Sequence, residues 1–287
     1  MTTECAYQIS NILGEGPVWC PLEQALYWVD IDGFLLQRWH PESEDYQSWP
    51  MPTHIGCFAL REGGGGIVAL RTGFASIDFD GGTLTPLFDP EADQPDMRFN
   101  DGKCDRKGRF WAGTQEDGLR AARGSLYRFS ANHNCQKMRG EVICSNGIGW
   151  SPDNRTMYYT DSMKYEIYAY DFDPESGEIE NERIFAKDID CIPDGLTVDA
   201  EGCVWSAKWD GWKVVRYTPD GKVDSEITMP VQRPTSCMFG GPDLNLLYVT
   251  SASIGLSEND LQNGPLAGSV FVIETDTKGL PEPRFAG

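Results

Sequence analysis

Histidine is almost missing from this chain of 287 residues: there are three, His40, His54 and His133. That scarcity argues against an imidazole-built zinc site of the H-E-x-x-H kind, and the G-x-S-x-G, G-x-x-x-x-G-K-[ST] and G-x-G-x-x-G motifs are absent too. Basic charge is also short, with 24 Lys and Arg against 44 Asp and Glu and a net charge of −20. Nucleic acid and anionic membranes are therefore poor partners, and the plainest use of the acidity is solubility. No apolar run is long enough to span a bilayer. The opening Met-Thr-Thr-Glu-Cys-Ala-Tyr lacks the basic and apolar regions of a signal peptide. Nine cysteines without a Cys-x-x-Cys pair read as scattered buried thiols, and a cytoplasmic location is expected. Apolar residues show no period of 3.6, so helices are expected to be few.

Turn formers are plentiful: 31 Gly and 18 Pro punctuate short runs rich in aromatic and β-branched residues. Ser145-Asn-Gly-Ile-Gly-Trp-Ser-Pro-Asp-Asn-Arg-Thr-Met-Tyr-Tyr-Thr-Asp161 reads as strand, turn, strand. Pro152 presets φ for the turn, and Asp153 and Asn154 tolerate its tight backbone. A third strand follows over Glu166 to Asp171. The same unit recurs with Trp19, Leu60, Cys104, Trp150, Val198 and Phe239 as equivalent points, at intervals of 41, 44, 46, 48 and 41 residues. Such a period predicts an all-β fold, a six-bladed β-propeller of four-stranded antiparallel blades, with residues 1–287 as one domain. Weaker outer strands are expected at Tyr46 to Trp49, Leu84 to Phe88 and Arg183 to Ala186. The N-terminal Ala6 to Ser10 is expected to close the ring beside the last blade. A two-sheet sandwich gives no reason for so regular a period.

Four positions before each equivalent point stand Glu15, Gly56, Asn100, Asn146, Asp194 and Thr235. First strands of propeller blades line the central channel, so these six should ring one mouth of it. Each alone is readily explained as a turn residue, but four oxygen donors in one register suggest a site. Two carboxylates about 4 Å apart repel by roughly 4 kcal/mol at an effective dielectric near 20. A divalent cation turns that repulsion into coordination. An all-oxygen set suits Ca²⁺, Mg²⁺ or Mn²⁺, with Zn²⁺ or Fe²⁺ also open. Trp209-Asp-Gly-Trp212 suits either a pocket wall or packing between blades.

Gly14-Glu-Gly-Pro-Val-Trp19, Arg98-Phe-Asn-Asp-Gly-Lys103, Gly108-Arg-Phe-Trp-Ala-Gly-Thr114, Ser145-Asn-Gly-Ile-Gly-Trp150, Pro193-Asp-Gly195 and Thr235-Ser-Cys-Met-Phe-Gly-Gly241 follow one another along nearly the whole chain. Together they resemble the regucalcin/gluconolactonase family of the senescence marker protein type. The resemblance implies a six-bladed propeller that hydrolyses sugar lactones with one divalent metal ion. It implies that Glu15, Asn146 and Asp194 bind the metal directly. Arg98 and Asn100 would then face the substrate, with Asn100 close enough to the ion to join it in some states. Where the family often carries a substrate-contacting Glu in its lid, this chain has Gly118. Asp117, or else Glu116, is the expected substitute.

The expected reaction is hydrolysis of an aldono-1,4- or 1,5-lactone to the aldonic acid, with the metal polarising the carbonyl. Asp194, or else Asp101, would act as general base, and Arg98 would hold sugar hydroxyls through its fork of donors. The structural alternative for Arg98 is an ion pair with Asp96 or Asp101. Two other functions remain open: an arylesterase or organophosphate hydrolase with a greasier mouth, and a non-catalytic calcium-binding regulator or scaffold.

Overall fold

The computed structural model describes residues 2–287. After β1 (Thr3–Tyr7) the first blade comprises β2 (Gly14–Cys20), β3 (Ala25–Asp30), β4 (Leu35–Trp39) and β5 (Tyr46–Pro50). The second is β6 (Ile55–Leu60), β7 (Gly66–Leu70), β8 (Gly73–Ile77) and β9 (Leu84–Phe88). The third is β10 (Met97–Cys104), β11 (Phe110–Glu116), β12 (Gly124–Phe129) and β13 (Cys135–Val142). The fourth is β14 (Ser145–Trp150), β15 (Thr156–Asp161), β16 (Glu166–Phe172) and β17 (Ile179–Lys187). The fifth is β18 (Ile192–Val198), β19 (Val204–Trp209), β20 (Lys213–Tyr217) and β21 (Val223–Thr228). In the sixth, β22 (Pro234–Gly240), β23 (Leu246–Ser251) and β24 (Val270–Glu274) take β1 as their outer strand. The result is the expected six-bladed propeller.

First strands of successive blades lie side by side around the axis, and β22 returns to β2. Thr235 Oγ1 fastens that closure by donating to the Gly14 carbonyl at 2.5 Å. The closing strand is Thr3–Tyr7, three residues before the expected Ala6 to Ser10. The reason lies in contacts distant in sequence: the Asp30 carboxylate accepts from the backbone of Ile12 and Leu13, and Asn11 N donates to Gly268 O. That segment is committed to steering the chain into β2.

Hydrophobic contact is divided among the faces between neighbouring blades. Tyr27 and Val29 of the first blade pack on Phe58 and Val68 of the second, and Trp111 of the third packs on Ile148 of the fourth. Strand β3 is buried along its whole length, whereas β5 is mostly exposed; burial on both faces removes the polar alternation of a one-sided sheet. Two turns share the pattern Asp-x-x-Gly-x-x-Trp. Asp105 and Asp199 each accept two backbone N–H groups with Oδ1 and the Trp111 or Trp205 indole N–H with Oδ2.

The last residues cross the far end of the channel. Ala200 N donates to Lys278 O, Phe285 N to Leu60 O and Ala286 N to Gly108 O, so the tail runs from the fifth blade to the second and third. Open access is left at the end where the first strands begin. The single α-helix among the described residues, Glu258–Asn263, lies between β23 and β24, and no helix there is long and apolar enough to cross a membrane. All nine cysteines are free thiols, seven of them buried.

Candidate active site

Every first strand breaks its ladder with the second at one level. The register shifts between Glu15 and Val18, Ile55 and Cys57, Phe99 and Gly102, Asn146 and Ile148, Pro193 and Leu196, and Pro234 and Cys237. Bulges re-aim side chains, and these six act at the mouth of the channel. Glycine follows two of the donors for a steric reason. A Cβ on Gly147 would lie 2.7 Å from Asp194 O, and one on Gly195 would lie 2.1 Å from Ser236 Oγ.

Glu15, Asn100, Asn146 and Asp194, each with no more than 6% of its surface exposed, line one cavity of about 310 Å³ with Arg98 and Gln115. The other two ring positions are structural. Gly56 presses its backbone on Phe99 and Asn100, and Thr235 serves the closure described above. None of the three histidines lines the cavity.

Burial pushes the Glu15 carboxyl well above its ordinary range, and the charges of Asp194 and Asp101 push it further. Burial, then Asp101, does the same to Asp194. Among the described residues only Gly16 N, at 2.8 Å, donates to the Glu15 side chain. Asn146 Nδ2 donates to Ser162 Oγ at 2.9 Å, and Ser162 Oγ donates to Pro193 O at 2.6 Å. Asn146 Oδ1 is buried with no hydrogen-bond partner among the described residues. Two poorly compensated carboxylates and an orphaned amide oxygen on one cavity fit a hard divalent cation.

Asn100 is more occupied: Oδ1 accepts from Arg98 at 2.8 Å and Nδ2 donates to Ser145 O at 2.8 Å. Its oxygen keeps one lone pair free. Arg98 makes no ion pair among the described residues. Asp96 is held by Arg123, and the Asp101 carboxylate accepts from Gly102 N and lines a narrow space deeper in the channel beside Lys103. Asp117 is engaged elsewhere: both its oxygens accept from Arg71 at 2.8 Å, and it does not line the cavity. That fork anchors a loop in which Leu119 reaches the cavity and Glu116 accepts from the backbone of Arg120 and Ala121. Trp209 lines the cavity under the Arg233 guanidinium, 4.6 Å from its ring, while Trp212 packs against Gly264.

Gln115, Cys144 and Ser162 also face the cavity, and nothing in their own sequence context marks them. A second acidic group, Asp199 with Glu201 and Cys203, is close enough to hold an ion. Arg216 already occupies it, pairing with Asp199 at 2.8 Å and Glu201 at 2.5 Å.

Fold and site together describe a propeller with a buried acid-and-amide cluster at the open end of its channel. Residues 13–253 match the family described as SMP-30/Gluconolactonase/LRE-like region, and the chain belongs to that family. It is 41% identical to a 6-deoxy-6-sulfogluconolactonase of Pseudomonas putida, over 100% of this chain and 99% of the relative. It is 40% identical to an L-arabinolactonase of Azospirillum brasilense, covering 96% and 93% of the two chains. Among solved structures, a calcium-binding protein, regucalcin, from Agrobacterium tumefaciens superposes with a TM-score of 0.95 at 28% identity, over 99% of this chain and 97% of that one.

Proposed function

We propose that this protein hydrolyses a sugar lactone to its aldonic acid, using one divalent cation held by Glu15, Asn146 and Asp194. The observation that carries the reading is the Asn146 amide oxygen, buried without a donor on a cavity shared with two carboxylates. The two lactonases at about 40% identity over nearly full length support the same reaction class.

When bound, the cation supplies positive charge that polarises the lactone carbonyl and stabilises the oxyanion that develops there. The protein does the rest. Arg98 uses donors not engaged with Phe99 O and Asn100 to hold oxygens of the substrate. Asp194 would help hold the cation through one carboxylate oxygen, and its other oxygen would accept a proton from the attacking water. Asp194 is preferred to Asp101 as base because it faces the cavity. The new bond joins water oxygen to the carbonyl carbon, the ring C–O bond breaks, and the proton passes to the departing ring oxygen. Ionisation of the aldonic acid then releases a proton to solvent.

A second reading rests on the apolar wall of the cavity, formed by Leu13, Leu119, Met163, Ile192 and Trp209. It favours aryl esters or lactones with apolar substituents. Acid release in weakly buffered solution, measured on pentono- and hexonolactones, alkyl lactones and phenyl acetate, separates the two. Prompt EDTA-sensitive release with aldonolactones above all others is expected. Preference for phenyl acetate would move the assignment to the arylesterase class, and no release with any substrate would leave a binding protein.

A further inference from the structure

Gln115 stands directly across the ladder from Arg98, so both side chains leave the sheet on one face, and both line the cavity. Gln115 is 5% exposed. Its one side-chain hydrogen bond among the described residues is to Cys144, whose Sγ lies 3.1 Å from Oε1. An amide oxygen has no hydrogen to give, so the thiol must be the donor. That contact turns Nε2, carrying two hydrogens and no acceptor, towards the open space. A backbone bridge between Gln115 and Cys144 holds the two residues together. Among the described residues Arg98 makes its hydrogen bonds through Nη1 alone, which leaves Nε and Nη2 unengaged there as well. Gln115 and Arg98 therefore turn unengaged donors to the cavity, where an acceptor on a bound molecule gains hydrogen bonds from both.

We propose that Gln115 is a specificity-determining residue: its amide nitrogen, beside Arg98, binds an acceptor oxygen carried by a lactone substituent, and the Cys144 thiol positions the amide. The inference rests on the lactonase reading and adds a contact to it. Acceptor oxygens come from two kinds of substituent, the hydroxyls of a neutral aldonolactone or a terminal anionic oxo group such as a carboxylate or sulfonate. The donors of Gln115 and Arg98 accommodate both.

The test compares kcat and KM of the wild type, Gln115→Met and Gln115→Glu in the cation-loaded enzyme. Substrates are a neutral aldonolactone, an aldonolactone with a terminal carboxylate, and the unsubstituted lactone of the same ring size. Met keeps the length without the donors; Glu keeps the shape and replaces them with acceptors. Both variants are expected to lower the ratio of kcat/KM for an oxygen-bearing lactone over the unsubstituted one by about tenfold, chiefly through KM. A larger drop for the carboxylate substrate identifies the anionic group as the partner, and a larger drop for the neutral one identifies the hydroxyls. An unchanged ratio in both variants, with melting temperatures near wild type, would overturn the proposal. For the positioning role, Cys144→Ala is expected to raise KM and Cys144→Ser to restore it, since a hydroxyl also donates to Oε1. Serine as impaired as alanine would remove that role. Absence of lactone hydrolysis by the wild type would instead overturn the lactonase reading, and this inference with it.

Discussion

Ser162 determines which way the Asn146 amide faces. A serine hydroxyl has one hydrogen, and this one goes to Pro193 O at 2.6 Å, so at 2.9 Å from Asn146 Nδ2 the same oxygen must accept. The amide nitrogen is thereby anchored in the fourth blade and the amide oxygen is left for the cavity. Because Pro193 directly precedes Asp194, one hydroxyl sets two of the three proposed ligands against each other.

Replacing Ser162 by Ala removes that anchor without touching a ligand. Cation affinity is expected to fall by about ten- to a hundredfold, as outer-shell changes at metal sites do. Calorimetric titration of stripped protein with Ca²⁺, Mn²⁺ and Zn²⁺ measures it. Affinity equal to wild type for all three would show that the anchor is dispensable.

Glu15 and Asp194 repel each other in a buried setting that already raises both carboxyls. Glu15→Gln and Asp194→Asn, tested without cation, are therefore expected to melt higher than stripped wild type. Both should lose the stabilisation that wild type gains from cation, about 2.7 kcal/mol at a hundredfold excess over Kd. Differential scanning fluorimetry with and without each ion reads both effects. Variants that melt lower than stripped wild type yet still respond to cation would contradict the pairing.

Glu91 supplies a pH dependence independent of the site. Its Oε1 accepts from Thr114 and Tyr127 at 3.0 Å each, Oε2 is buried without a partner among the described residues, and burial raises the carboxyl. A native carboxyl above its unfolded value takes up its proton first on acidification. Glu91 therefore opposes folding at neutral pH, and this destabilisation is relieved as pH falls through the raised native value towards the ordinary one. Glu91→Gln is expected to stabilise by about 1 kcal/mol at pH 7.5, with the gain shrinking towards pH 5 in denaturant titrations. A gain that grows on acidification would reverse the sign and reject the account.

The propeller was legible because each first strand carries its marker residue at the same offset from a turn. Glu15, Asn100, Asn146 and Asp194 were legible for the same reason: a shared register in a ring becomes a shared height in space. Gln115 sits on a second strand, Cys144 and Ser162 just outside strand ends, and Leu119 in a loop. No repeat marks these positions, since the loops between blades differ in length and composition. Asp117 reads like any other lid acid until its partner Arg71 is known, 46 residues away along the chain and in the neighbouring blade. Arg98 shows the converse, a cation whose nearest acids in sequence are committed to Arg123 and to the Gly102 backbone. The shift of the closing strand to Thr3–Tyr7 follows from Asp30 holding residues 12 and 13, a contact across 17 or 18 positions that local pattern does not reveal.

Cation content and turnover, measured on the same samples, show whether the ion and the hydrolysis stand or fall together. Wild type, EDTA-stripped wild type, the stripped protein with cation restored, and Glu15→Ala, Asn146→Ala and Asp194→Ala would each be assayed by elemental analysis and by aldonolactone hydrolysis in a pH-stat. The cation-centred mechanism predicts one ion per chain in wild type, loss of ion and activity together on stripping, and recovery of both on restoration. It predicts a fall in turnover of at least about a thousandfold in Asp194→Ala, which loses ligand and base together. Stripped protein that hydrolyses the lactone at the wild-type rate, or alanine variants that keep both ion and activity, would contradict it.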